Sequence, residues 1–280
     1  MSGATTDRRL TLTRDGLADV RLEGLVAAER FAAVVPMQVA TPTASLRKAA
    51  SPKAEQENQL LFGERFDVLF EDGGFAFGQA RRDGYVGYVP TDTLTLLAEA
   101  PTHRVAAIRT YAFSQPDIKS AIVGLYSIDA LVTVEARDGR FVKAAGSGWI
   151  TEAHLGAIGT GETDHVAVAE RFLGAPYQWG GRESLGLDCS ALVQLSLAAC
   201  NRACPRDTDL QRGFFAAIDG AERRRGDLVF WKGHVAVLLD ADTIIHANAF
   251  HMAVAVEPLA EAITRIEAAG VGSPLGYRRV

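Results

Sequence analysis

The stretch "GAPYQWGGRESLGLDCSALVQ", residues 174–194, sets a cysteine between an aspartate and a serine, after a glycine-rich run and at the head of an apolar one. The continuation "DCSALVQLSLAAC" reads as a helix with Cys189, Leu192, Val193, Leu197 and Cys200 along one face. A sulfur at the first turn would lie over unpaired backbone N–H groups at the positive end of the helix dipole. A free thiol has a pKa of about 8.5, so few per cent is thiolate at neutral pH; a helix start or a protonated histidine favours the thiolate. The same N–H groups can hold an oxyanion. Burial as a small hydrophobe is the commoner fate of cysteine, and Cys200 and Cys204 fit that fate.

Upstream, "TGETDHVAVAERFLG" reads as a helix capped by Thr163 or Asp164, with apolar residues at 168, 169, 172 and 173, stopped by Gly174 and Pro176. Downstream come strand candidates "GDLVFW", "HVAVLLD" and "TIIHANA". Helices followed by antiparallel strands predict an α+β domain. If Leu239 pairs with Thr243 across the loop Asp240–Asp242, then His234 stands opposite Asn248 and Ala236 opposite His246. All four side chains then share a face, with His246 a diagonal neighbour of His234. That supplies a base for Cys189 and a group to orient it, either His246 or Asn248. His103, His154, His165 and His251 read as half-buried structural histidines with satisfied rings.

Residues 1–35 form a leader with a helix-compatible run, "LVAAERFAAVV". From about 36 to 156 short apolar runs alternate with Gly, Pro, Asp and Ser, a β texture. "GYVPTDTL" (Gly87–Leu94) is echoed by "GWITEAHL" (Gly148–Leu155), which suggests two small all-β modules. Composition is that of an ordinary globular protein, 48% hydrophobic and 22% charged. A net charge of −5 gives no basic field for nucleic acid or anionic membrane. No apolar run approaches the ~18 residues of a spanning helix. The amino terminus "MSGATTDRRLTLTRDGLADV" lacks the apolar core of a secretory signal, and three cysteines make no even disulfide framework, so a cytoplasmic location is expected. The Cys200–Cys204 spacing has no second ligand pair nearby, so no metal is expected.

Taken in order, "YQWGG", "DCSALVQ", "GDLVFW", "GHVAVLL" and "IIHANA" resemble the NlpC-type cell-wall cysteine peptidases over about residues 160–280. The β modules resemble the bacterial SH3-like domains that accompany such enzymes. The fold expected from these resemblances is α+β: a leader (1–35), two small SH3-like barrels (36–98 and 99–158) and a papain-like peptidase domain (159–280). The resemblance implies Cys189 as nucleophile, His234 as general base and acid, His246 as its orienter, and Tyr177 near the oxyanion and substrate. Ala191 departs from the glycine usual in the family but removes no catalytic atom.

Members of this family cleave between γ-D-glutamate and a diamino acid in peptidoglycan stem peptides. Two SH3-like modules and "PRDTDLQ" resemble a narrower branch that trims free murein peptides with an unblocked N-terminal L-alanine. Taking an ammonium out of water requires carboxylate partners, which an acylated amine would leave unpaired. Asp188 and Asp207, with Ser190 and Thr208 beside them, are the candidates in the catalytic domain; the resemblance to that branch further implies that a glutamate and a tyrosine of the first module close the substrate pocket, for which Glu55 and Tyr85 are the candidates. Asp188 and Asp207 could equally cap a helix and a turn. Arg182 and Arg223–Arg225 are expected as solvated surface. The expected partner is a peptidoglycan-derived peptide, with no metal or organic cofactor. The rival expectations are a hydrolase of intact peptidoglycan, an inert wall-peptide binding protein, and a papain-like acyltransferase or lipid-directed enzyme.

Overall fold

A computed structural model of the chain describes residues 6–97 and 100–280. The first five residues of the expected leader, and the expected module boundary at 98 and 99, lie outside the described residues. Two compact units form: one takes the chain up to Arg104 with Thr110–Tyr126 and Ala130–Ala153, the other Val105–Arg109, Ser127–Asp129 and His154–Val280.

In the first unit the β texture becomes an open seven-stranded sheet in the order Leu94–Leu96, Val35–Val39, Arg65–Asp72, Phe75–Ala80, Val86–Pro90, Thr43–Arg47, Gln56–Leu61. A second open sheet has five strands, in the order Ile122–Ser127, Arg109–Phe113, Trp149–Thr151, Phe141–Ala144, Val134–Asp138. The expected SH3-like barrels are therefore corrected: among the described residues no sheet closes on itself, since the first and last strands of each are not paired. The sheet edges are blunted by other means. Leu94–Leu96 is only three residues long, and Glu57 on the opposite edge carries an ion pair to Arg8.

Side chains along Phe75–Ala80 alternate between two apolar clusters, one holding Phe75 and Phe77, the other Ala76 and Ala80. The sequence repeat has a local counterpart. Val86–Pro90 and Trp149–Thr151 are strands, each followed by a 3-10 turn and a short strand. The run "LVAAERFAAVV" is not helical: Arg30–Ala32 pairs in parallel with Leu17–Asp19, and the chain stays extended into the strand that carries Pro36.

The second unit carries four helices: α1 (His165–Glu170), α2 (Cys189–Ala199), α3 (Thr208–Phe214) and α4 (Leu259–Ala268). Its main sheet has strands β1 (Ala216–Ile218), β2 (Leu228–Trp231), β3 (His234–Leu238), β4 (Thr243–Asn248), β5 (Ala253–Pro258) and β6 (Gly276–Arg279), in the order β1-β6-β2-β3-β4-β5. Asp164 caps α1 by accepting from the N–H groups of Val166 and Ala167. Helix α2 is buried along nearly its whole length and packs on α1, β3 and β4. One core cluster joins Val229, Trp231, Ala236, Leu238 and Ile244 of the sheet to Leu259, Ala262 and Ile266 of α4.

Two registers position the site. Val237 pairs with Ile245 and Leu238 with Ile244, and the Leu239 N–H donates to the Thr243 carbonyl at 2.9 Å, the register read from the sequence. On the other side of β4, His246 pairs with Ala255 and Ile244 with Glu257. Glu257 is thus a same-face diagonal neighbour of His246.

Candidate active site

Cys189 opens α2 and is buried, with its Sγ 4.0 Å from the carbonyl oxygen of Gly233, next to His234. Burial pushes the thiol up to about 12, with Asp188 adding to the shift; the N–H groups of Val235 and Ser190 and the Arg206 charge act against it. The helix start alone does not make a thiolate here, because desolvation outweighs it. The resting thiol is protonated at neutral pH.

His234 opens β3, and its Nε2 lies 2.8 Å from Nδ1 of His246, which is fully buried. Burial, then the His246 and Arg265 charges, push His234 down to about 3 against the pull of Glu257. Burial also lowers His246, opposed by its hydrogen bond to Glu257. Of the two alternatives for a group against His234, the structure places His246 there. Asn248 instead accepts from the His251 backbone N–H at 2.8 Å and donates to the His246 carbonyl at 3.4 Å.

Sequence reasoning passed over Glu257. Its Oε1 lies 2.6 Å from Nε2 of His246 and also accepts from Arg265 of α4. Burial pushes this carboxyl up, but the bonds from His246 and Arg265 outweigh it and hold it at about 2. The signal was present in "AVAVEP", an alternating strand with one acidic residue, once it is registered against "TIIHAN". His246, His251 and Glu257 offer donor atoms within 4.8 Å of one another. A cation held there would face the Arg265 guanidinium on the same carboxylate, so the set suits a hydrogen-bond network better than a metal.

The structure gives Asp188 several partners. Its carboxylate accepts from Arg206 at 2.9 and 2.6 Å, from the Ser190 hydroxyl at 3.0 Å, and from the N–H groups of Gly180 and Ala191. Ser190 in turn accepts from Arg206 at 2.8 Å. An incoming ammonium would have to displace Arg206, which is 1% exposed. Asp188→Ala strands that guanidinium without its carboxylate, and a loss of about 3–5 kcal/mol is expected in urea unfolding. A variant within ~1 kcal/mol of the parent would contradict this.

Tyr177 is half-buried, and its N–H donates to the Met252 carbonyl. Burial raises its hydroxyl well above the usual range, with Cys189 and Asp188 next in weight, so it remains a protonated donor. Asp207 precedes α3 and Thr208 begins it, both half-buried. In the other unit, Glu55 is exposed, 3.6 Å from Lys48, whereas Tyr85 is buried in an apolar cluster. Arg182 is not solvated surface: it is fully buried. Arg224 and Arg225 are exposed as expected, Arg225 pairing with Asp164 and Glu170.

These shifts fix the sign of a pH effect. His234 and His246 bind protons less readily folded than unfolded, so their contribution is intact above about pH 6.5 and is lost as pH falls below it, for His234 toward about 3. Glu257 adds a further loss below about 4.5, its unperturbed value. Cys189 works at the other end, where stability declines as pH rises from about 9 toward about 12. Urea midpoints are expected to fall steadily between neutrality and pH values near 4; a flat profile there would contradict the buried neutral histidine pair.

Comparison with known proteins finds matches in both parts of the chain. Residues 174–271 match the NlpC/P60 family, and residues 46–94 match the bacterial dipeptidyl-peptidase Sh3 domain. The chain is 25% identical over 237 residues to a gamma-D-glutamyl-L-lysine dipeptidyl-peptidase of Bacillus subtilis, covering 77% of this chain and 80% of that one. It is 34% identical over 84 residues to dipeptidyl-peptidase 6 of Lysinibacillus sphaericus, but spans only 31% of that protein's length and 30% of its own. A crystal structure of an NlpC/P60 family protein from Bacillus cereus superposes with a TM-score of 0.75 at 19% identity, over 87% of this chain and 99% of that one. The chain therefore has an NlpC/P60 cysteine-peptidase fold accompanied by an SH3-type domain.

Proposed function

We propose that this protein is a cysteine endopeptidase hydrolysing the bond between γ-D-glutamate and the L-diamino acid, meso-diaminopimelate, of peptidoglycan stem peptides. The observation that carries the proposal is the buried Cys189 thiol at the start of α2, packed against the residue before His234, whose ring is held by His246. The likeness to a gamma-D-glutamyl-L-lysine dipeptidyl-peptidase over most of both chains supports the bond specificity. In this reading the peptidase domain is 159–280, preceded by SH3-like modules at 36–98 and 99–158.

Both resting groups are neutral, so proton transfer accompanies attack. As the sulfur bonds to the γ-carbonyl carbon, His234 takes the thiol proton. N–H groups at the start of α2, with the Tyr177 hydroxyl, stabilise the oxyanion. Collapse breaks the C–N bond, and the His234 imidazolium donates its proton to the departing amine. Water, deprotonated by His234, then cleaves the thioester and frees Cys189.

The substrates are free murein peptides with an unblocked N-terminal L-alanine, trimmed in the cytoplasm. Among the described residues no helix is long and apolar enough to cross a membrane. Asp207 and Thr208 are the side chains offered to the substrate amine in the catalytic unit; Asp188 and Ser190 serve by holding the helix start. The test compares L-Ala-γ-D-Glu-meso-diaminopimelate with its N-acetylated form and with the L-lysine analogue. Loss of a buried amine pairing is expected to reduce kcat/KM for the acetylated peptide by about 100-fold or more. Equal cleavage of free and acetylated peptides would point to intact wall as substrate, and cleavage of none to a binding protein or acyltransferase.

A further inference from the structure

Four side chains form a continuous line from the end of the sheet to the proposed base: Arg265 of α4, Glu257 of β5, His246 of β4 and His234 of β3. The proposed hydrolysis uses only the last two. The line also determines where the hydrogens sit.

A carboxylate only accepts, so the hydrogen in the 2.6 Å contact between Glu257 and His246 belongs to Nε2 of His246. Burial keeps His246 neutral, and a neutral imidazole has one N–H, so its Nδ1 is bare. The 2.8 Å contact with His234 then requires His234 Nε2 to donate. His234 is neutral too, so its Nδ1 carries a lone pair and no hydrogen. With the opposite tautomers, His246 would donate to His234 and leave His234 Nδ1 protonated, without a lone pair for the thiol proton. A wrong histidine tautomer with intact geometry is among the most damaging defects a nucleophile–histidine site can carry.

We infer that Glu257, held by Arg265, is a positioning residue that sets the tautomers of His246 and His234 and so leaves the Nδ1 lone pair of His234 open to the Cys189 proton. Glu257 touches no reacting atom. Its oxygen is anchored, since Arg265 bonds it while lying 4.4 Å over the Phe250 ring. The charged and titratable groups around the pair are Glu257, Arg265 and His251, with Asp188 and Arg206 on the thiol side. Only Glu257 and Asp188 are anionic, and Asp188 is taken up by Arg206. Once His234 accepts a proton, Glu257 is the negative charge that stabilises the imidazolium through His246.

The role assigned to His234 rests on the peptidase reading, but the tautomers are measured on the resting protein without substrate. Histidine labelled with heavy nitrogen is observed by long-range proton–nitrogen correlation near neutral pH, with signals assigned by their loss in His234→Gln and His246→Gln. Both rings are expected as the Nε2–H tautomer. A His234 ring carrying its hydrogen on Nδ1 would overturn the inference whatever the peptidase assays show, and that measurement stands even if Glu257→Leu fails to fold. In Glu257→Leu the acceptor is lost, so a tautomer mixture is expected, with iodoacetamide alkylation of Cys189 slowed by about tenfold and Cys200 unchanged. Glu257→Gln keeps an acceptor oxygen and is expected to recover much of that rate. Unaltered tautomers with alkylation within about twofold of the parent in Glu257→Leu would refute the positioning role.

Discussion

Cys189→Ala is expected to lower turnover of the tripeptide by on the order of 10^4-fold or more, because the variant lacks the sulfur that forms the proposed thioester. The fold is expected to survive. Cys189 is buried at the start of a helix whose cap, the Asp188 carboxylate accepting from the Ala191 N–H, does not involve sulfur. Alanine is a good helix former and leaves only a small void, so a cost of about 1 kcal/mol is expected. Steady-state kinetics alongside urea unfolding separate the two effects. A variant that keeps more than a few per cent of the activity would remove Cys189 from the chemistry; one that loses activity by unfolding would leave its role undecided, and Cys189→Ser then serves as the second probe. Serine nearly preserves the size, but its much higher pKa makes a poor nucleophile in so dry a site.

His234→Ala is expected to be comparably damaging, about 10^3–10^4-fold in kcat, with a different signature. The thiol remains, but burial holds its pKa at about 12 and no base is left to take the proton. Alkylation of Cys189 is therefore expected to slow markedly in this variant, while Cys200 reacts as before. Small imidazole added to the solution is expected to restore part of the rate through the space left by the ring. An unchanged alkylation rate would show that another group deprotonates Cys189, and activity within about tenfold of the parent would remove His234 from both proton transfers.

How far the sequence reveals the site depends on how local each signal is. The start of α2 was legible because Asp188 and the following apolar run lie within one turn of Cys189. The histidine pair was legible because a hairpin with a short polar loop has few registers and the pleat has a period of two. Glu257 escaped for want of such a loop. "AFHM" between β4 and β5 carries no Gly, Pro or Asn, and Met252 adopts a left-handed conformation at φ 51° that its residue type does not announce.

Asp188 and Arg206 are 18 residues apart, and nothing in the intervening helix indicates that the two meet. Arg182 reads as polar surface and is buried. The thiol was expected to gain acidity from the helix start; only the packing around it shows that desolvation dominates. The β modules were legible as strands and turns, but whether a sheet closes depends on pairing between distant strands, and here the sheets stay open.

The most direct test of the central claim uses the unmodified protein with L-Ala-γ-D-Glu-meso-diaminopimelate in water enriched in heavy oxygen, with products identified by mass spectrometry. Free diaminopimelate and L-Ala-D-Glu are expected, with one heavy oxygen in the γ-carboxylate of the glutamate, where water has opened a thioester. Recovery of the intact tripeptide, or cleavage between alanine and glutamate instead, would contradict the assignment of this site to the γ-D-glutamyl bond.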